Sequence, residues 1–325
     1  MIKRTSINEL LEKHLVRKTQ KQKQAFCDWL TAHSKQHHYS IDEQTYKKGH
    51  GKNLVIGSVE KADVILTAHY DTAPHAILPI TTLVGSIPKY LLGQLLIISP
   101  IVLLTTGLGI LISFFISTIF GGVRTEGTTY VYVFEVLIFS LIFISLWSWQ
   151  MMFGFANQKN VNDNTSGVAV LIALLEDLAP ELREKICFVF FDEEEKGLEG
   201  AKAFKRAHLH KMASKPLINF DCVGHGEHLM FITKKQFRES ALNDFLVEAT
   251  EGKALMKPAN RYLYPSDQIL FKNSIGVTAV HHLPGFGFYL SRLHSKFDVK
   301  FNEDNVEGLK EIVADFIENM KKEKR

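Results

Sequence analysis

Followed along its apolar and polar positions, the chain divides into two kinds of segment. The first kind alternates. Short apolar runs of strand length recur as "NLVIGS" (53–58), "DVILTAH" (63–69), "KICFVFF" (185–191), "PLINFD" (216–221), "LMFIT" (229–233) and "GVTAVHH" (276–282). Between them lie helical periodicities: Ile7, Leu10, Leu11 and Leu15 on one face with Ser6 as cap, "SGVAVLIALLEDLA" (166–179), and a closing "NVEGLKEIVADFIENMKK" (305–322). Strands alternating with helices predict an α/β fold, a three-layer helix–sheet–helix domain around a mostly parallel mixed sheet.

The second kind of segment is continuous hydrocarbon. No charged residue occurs between Lys89 and Arg124, or between Glu135 and Lys159, gaps of 34 and 23 residues. At about 1.5 Å per residue, each is long enough to cross a hydrocarbon layer of ~30 Å. The pattern predicts two membrane spans, roughly 91–120 and 131–155. They sit in an insertion (77–158) that separates residues 1–76 of the α/β domain from residues 159–325. The competing reading is a pair of buried core helices, but core helices of soluble domains seldom run uncharged for so long.

Composition adds a topology. Over 325 residues the net charge is +3 and the mean hydropathy is zero, an average that conceals the division just described. The N-terminus lacks the apolar run and cleavage site of a secretory signal. Residues 1–50 carry ten Lys/Arg against five Asp/Glu. A hairpin of two spans returns the chain to the side it left, so the positive-inside bias places both polar parts in the cytoplasm, with a short loop near 121–129 outside. The expectation is a multi-pass protein of the cell membrane. Three cysteines, Cys27, Cys187 and Cys222, suit a reducing compartment and offer no disulfide framework. The lipid bilayer is an expected partner, through residues 77–158, and nucleic acid is not. Gly107 and Gly109 lack the four-residue spacing of close helix pairs, and oligomeric state stays open.

Candidate chemistry lies at the strand ends, where open α/β sheets gather functional residues. "DVILTA" ends at His69 and Asp71, "CFVFF" at Asp192–Glu195, "LINF" at Asp221; Asn162-Asp163-Asn164 opens a helix, and His294 precedes the last one. Singly, these read as a solvated turn, a helix cap or an exposed charge run. Together they bring two imidazoles and at least three carboxylates to one sheet edge, a donor set suited to zinc, with cobalt or manganese as alternatives.

The order and spacing of six stretches carry a resemblance: "AHYDT" (68–72), "NDNTSGVA" (162–169), "FDEEEKGLEGA" (191–201), "NFDCVG" (219–224), "SDQILFKNSIGVTAV" (266–280) and "LHSKFD" (293–298). The chain resembles the co-catalytic di-zinc aminopeptidases, bacterial leucyl aminopeptidase-like exopeptidases related to glutamate carboxypeptidase and glutaminyl cyclase. The resemblance implies two zinc ions bridged by Asp163. His69 and Asp221 would complete one ion and Glu195 and His294 the other. It further implies Glu194 as general base, activating a water at the metals, and Asp71 as the residue that orients His69. Only Glu194-Glu195-Lys196-Gly197-Leu198 fits the family's acidic pattern, which leaves Glu193 without a role. Gln268 stands where His is usual and Ala201 where Ser is common. The implied activity is removal of N-terminal residues from peptides. The alternatives are a cyclase-type acyl transfer and a non-catalytic membrane module of the same fold.

Overall fold

The computed structural model describes residues 4–76, 78–119, 126–212 and 214–323. Its centre is a ten-stranded mixed sheet in the order β1-β2-β5-β3-β6-β9-β10-β4, with β7 and β8 branching from β9. The strands are β1 (Ile41–Tyr46), β2 (Gly51–Ile56), β3 (Val64–His69), β4 (Ile80–Val84), β5 (Ile186–Phe191), β6 (Leu217–Phe220), β7 (His228–Thr233), β8 (Leu255–Pro258), β9 (Ser274–Leu283) and β10 (Gly287–Leu293). Parallel pairing is concentrated in the centre, β5-β3-β6-β9, while β1, β2, β10 and β4 pair antiparallel on the flanks.

Strand β5 shows why these runs form the middle layer. Its side chains alternate, and both faces are buried. Ile186, Phe188 and Phe190 enter a core shared with α1 (Thr5–Lys13), α2 (Gln20–Gln36), α5 (Gly167–Asp177), α8 (Leu242–Thr250) and α9 (Glu303–Glu323). Cys187, Val189 and Phe191 enter another, closed by Ala201 and Phe204 of α6 (Glu199–His208). The three layers read from the sequence are present. Ser6 is not the cap expected of it: Arg4 occupies the N-cap position, and Ser6 is buried in the first turn.

Helices α3 (Ile87–Ile119) and α4 (Glu126–Phe153) pack as a hairpin, with Gly109 placed where an added Cβ would lie 3.0 Å from the Val136 carbonyl. Their apolar side chains face outward, Leu103 73 % and Phe115 65 % exposed, so these are not core helices of the α/β domain. Two helices here, Ile87–Ile119 and Val131–Phe153, are long and apolar enough to span a membrane. The loop expected near 121–129 falls partly outside the described residues, and α4 has already begun at Glu126. The sheet reaches into the segment read as an insertion, because β4 pairs with β10 before the chain enters α3.

Candidate metal centre

Strand β3 delivers His69 to the edge of the sheet, where its neighbours are fixed from behind. Arg17, fully buried, donates through Nε to the Tyr70 carbonyl and through Nη2 to Thr165 Oγ1 (3.0 Å), tying this strand end to the segment that carries Asp163. Asp71 lies 3.4 Å from His69 Nδ1, but its shorter contacts are to the acidic run. Its carboxylate accepts the backbone N–H of Glu194 (3.0 Å) and Glu195 (3.3 Å). It therefore joins two strand ends as well as facing the imidazole.

After β5 the four acids separate by direction. Asp192 turns back to Lys23, both nearly fully buried. Glu193, at φ 56°, pairs with Lys196 (2.8 Å) and Lys47 (3.2 Å). Glu194 and Glu195 are left for the site. Gly200 lets α6 start hard against this turn, since a Cβ there would lie 2.3 Å from the Asp192 carbonyl.

Asp163 sits in an irregular turn before α5 (φ −112°, ψ 92°). Asp298 accepts the N–H of Asn162 (2.7 Å) and of Asp163 (3.1 Å). Asn164 accepts the Gly167 N–H (2.9 Å) and donates to the Phe220 carbonyl (2.9 Å), welding the turn to the end of β6. Ser166 takes the N-cap position of α5 and Asn164, not Asp163, receives the first N–H of that helix, so the Asp163 carboxylate is directed elsewhere.

Its two oxygens face different partners. Oδ1 lies 3.4 Å from His69 Nε2, and Asp221 Oδ1 lies 3.6 Å from the same nitrogen. Oδ2 lies 3.1 Å from His294 Nε2, with Glu195 Oε1 3.4 Å from that nitrogen. Donor atoms held about 2.0–2.2 Å from a tetrahedral ion stand roughly 3.3–3.6 Å apart, which both contacts at His69 and the Glu195 contact at His294 match, while Asp163 and His294 stand slightly closer at 3.1 Å. Among the described residues, Glu195 Oε1 and Asp221 Oδ1 have no hydrogen-bond donor. Buried acceptors without donors are costly unless a cation satisfies them, so the donor set fits zinc.

Six carboxyl groups, of Asp71, Asp163, Glu194, Glu195, Asp221 and Asp267, share this space with two imidazoles. Burial pushes Glu195 up to about 7, with His294 opposing and Asp163 adding. It pushes Asp267 up to about 8, with His69 opposing. Glu194 is raised well above the carboxylate range by burial, reinforced by Glu195, Asp267 and Asp221. Burial would raise Asp163 too, but His294 and His69 hold it far below its ordinary value. His294 is depressed by burial, yet Glu195 and Asp163 bring it to about 9. Such crowding of like charge calls for cationic compensation beyond the imidazoles.

All seven residues singled out in the sequence, His69, Asp71, Asp163, Glu194, Glu195, Asp221 and His294, converge here. Two neighbours carried no assigned role. Asp267 is fully buried with both oxygens unpartnered among the described residues, and Asp298 anchors the Asp163 turn. Both stand in quoted stretches, yet only the folded chain shows that one faces the cluster and the other grips its backbone. Cys222 also lies near Asp163 and Asp221, but burial pushes its thiol well above its ordinary range. A separate cluster, His33, His37 and Glu176, joins α2 to α5, where Glu176 already pairs with Arg4.

The fold has solved counterparts. A zinc-dependent exopeptidase from Parabacteroides distasonis aligns with 95 % of this chain and 94 % of its own, at 15 % identity and a TM-score of 0.56. The glutaminyl cyclase of Porphyromonas gingivalis aligns over 97 % of both chains, at 15 % identity and TM-score 0.58. A leucine aminopeptidase precursor from Bacteroides thetaiotaomicron covers 96 % of this chain and 93 % of its own, at 13 % identity and TM-score 0.54. No match is found among curated proteins. Sheet, flanking helices and donor cluster define an α/β protein with the zinc exopeptidase fold. The model of peptidase family M28 matches residues 151–317, just over half the chain, and the protein belongs to that family.

Proposed function

We propose that the protein is a membrane-anchored zinc aminopeptidase with its catalytic domain in the cytoplasm. The observation that carries this is the division of Asp163: one carboxylate oxygen faces His69 and the other faces His294. His69, Asp163 and Asp221 would hold one zinc ion, and Asp163, Glu195 and His294 would hold a second. Cobalt or manganese can serve the same donors. When bound, the metal pair polarises the scissile carbonyl and makes water acidic enough to act at neutral pH.

The chain's own groups do the rest. Glu194, whose affinity for a proton is raised by burial and by the acids around it, would stand as a carboxylate once bound cations offset those charges, and takes the proton as the water oxygen bonds to the carbonyl carbon. It delivers that proton to the amine nitrogen as the C–N bond breaks. Asp71 holds the Glu194-Glu195 backbone and faces the far nitrogen of His69, fixing which nitrogen meets the metal. The substrate is a peptide with a free N-terminus.

The test pairs metal content with product. The full chain, purified in detergent, is expected to carry two zinc ions and to release free amino acids from a mixed peptide set. Glu194→Gln is expected to keep the metal and lose turnover by about 100- to 10,000-fold. A single ion, with loss of ammonia from peptides that begin with Gln, points instead to the cyclase reaction. Bound metal without either product leaves a non-catalytic module.

A further inference from the structure

The apolar side chains at the base of the α3–α4 hairpin do not stop where the helices do. Phe155, just beyond α4, is 83 % exposed. Leu283 and Phe286 are exposed at the tip of the β9–β10 hairpin, beside the first turn of α3, where a Cβ on Gly287 would lie 3.2 Å from Lys89 Nζ. Phe297 and Val299 are exposed just after His294, flanked by Lys296 and Lys300. The same base is bonded to the metal centre. His75 donates its N–H to the Phe155 carbonyl (2.7 Å), Gln150 Nε2 donates to the His75 carbonyl (3.1 Å), and Ala76 donates to the carbonyl of His294 (2.6 Å). Only a few backbone hydrogen bonds separate the end of α4 from a proposed metal ligand.

An apron of exposed phenylalanine and aliphatic side chains, rimmed by lysines and continuous with two apolar helices, matches the chemistry of an anionic lipid surface. We infer that this apron seats in the headgroup layer and that the metal centre takes its substrate from the membrane surface. The favoured substrates are peptides whose free N-terminus lies at the interface while the remainder is held by the bilayer, either through an amphipathic helix or through an acyl chain. This rests on the exopeptidase reading and on the hairpin crossing the membrane.

The experiment uses the full zinc-loaded chain in nanodiscs of phosphatidylcholine and phosphatidylglycerol. Two peptides share one N-terminal sequence, and one of them carries a C-terminal palmitoyl chain. The expected result is a kcat/KM about tenfold or more higher for the acylated peptide, because the bilayer concentrates and orients it at the site. Leu283→Ser/Phe286→Ser is expected to erase most of that advantage while leaving the free peptide within about twofold. Independently, Phe286→Trp is expected to add fluorescence that brominated lipids quench. Equal rates for the two peptides, an advantage that survives in the Ser variant, or emission untouched by brominated lipid each overturns the inference while the exopeptidase stands. Loss of activity on both peptides in the unaltered protein overturns the proposed function and this inference with it.

Discussion

Lys23→Met tests whether the acidic run is held by charge or merely by packing. Lys23 is 4 % exposed and Asp192 1 %, and their ion pair stands directly behind Glu194 and Glu195. Asp192 also accepts the N–H of Glu193 (2.8 Å) and of Lys52 (3.2 Å). Burial still pushes its carboxyl up to about 6, with Lys23 opposing. An acid raised in the folded state binds more protons there than when unfolded. Its contribution to stability therefore falls as pH rises from its ordinary value of 3.8 through about 6. Without Lys23 the folded value climbs further and the loss continues to higher pH. Because a buried acid can always take up a proton, the added cost is capped at about 1.4 kcal/mol per pH unit above 6, or roughly 3 kcal/mol at pH 8. Near pH 5.5 Asp192 is largely protonated in both proteins, and the difference shrinks to under about 1 kcal/mol. For a chain of this size, the loss at pH 8 corresponds to about 4 °C in Tm. Thermal unfolding of the metal-loaded protein at both pH values measures it, since titrations common to parent and variant cancel. Lys23→Met/Asp192→Asn is expected to remove the pH dependence. A loss equal at the two pH values would refute the charge argument and assign Lys23 a packing role through its apolar stem.

Two further substitutions probe other links. Asp298→Ala removes the acceptor for two backbone N–H groups in the Asp163 turn, so metal is expected to be held about 10- to 100-fold more weakly, as equilibrium dialysis would report. Retention equal to the parent would mean the turn holds its shape unaided. Arg4→Met dismantles the pairing that holds Asp177 at about 2 and lowers Glu307. These depressed carboxylates stabilise the fold above their ordinary values and cease to do so as pH falls toward 2. The variant is expected to show a flatter loss of stability between about pH 4 and 2, and to be about 1 kcal/mol less stable at neutral pH, as suits a partly exposed network. An unchanged acid limb in denaturant titrations would remove Arg4 from that account.

What the sequence revealed was whatever short-range pattern determines. The buried alternation of "KICFVFF" defines a strand covered on both faces, and the charge gaps mark two helices that the α/β core cannot absorb. The direction of each side chain in the acidic run is set instead by distant partners. Lys47 and Lys196 draw Glu193 outward, and Lys23 draws Asp192 back. Arg17, an unremarked residue of the N-terminal segment, reaches across to Tyr70 and Thr165. Asp298 acts through the backbone of residues more than a hundred positions earlier. Such contacts have no local signature. The same holds for β4, whose five residues read as part of a membrane insertion until their pairing with β10 is known.

That pairing changes how the hairpin can be removed. Replacing 77–158 with a linker would delete β4, which pairs with β10 at Ile80–Leu293, one residue from His294. It would also delete Phe155, whose carbonyl receives the His75 N–H, and the Pro74–Ala156 bridge. Excising only 87–153 leaves all three. The cut ends can then be joined by a flexible Gly/Ser linker, whose reach grows as about 5–6 Å × √n and sets the number of residues needed. The narrow excision is expected to yield a protein that needs no detergent, binds metal like the parent and cleaves short peptides at a comparable rate. The wide excision is expected to lose metal, because the His294 loop loses its edge-strand support. Metal content and Tm of the two proteins decide the matter. If both retain metal equally, β4 has no part in fixing His294. If neither does, α3 and α4 are part of the folding unit, and the hairpin is more than an anchor.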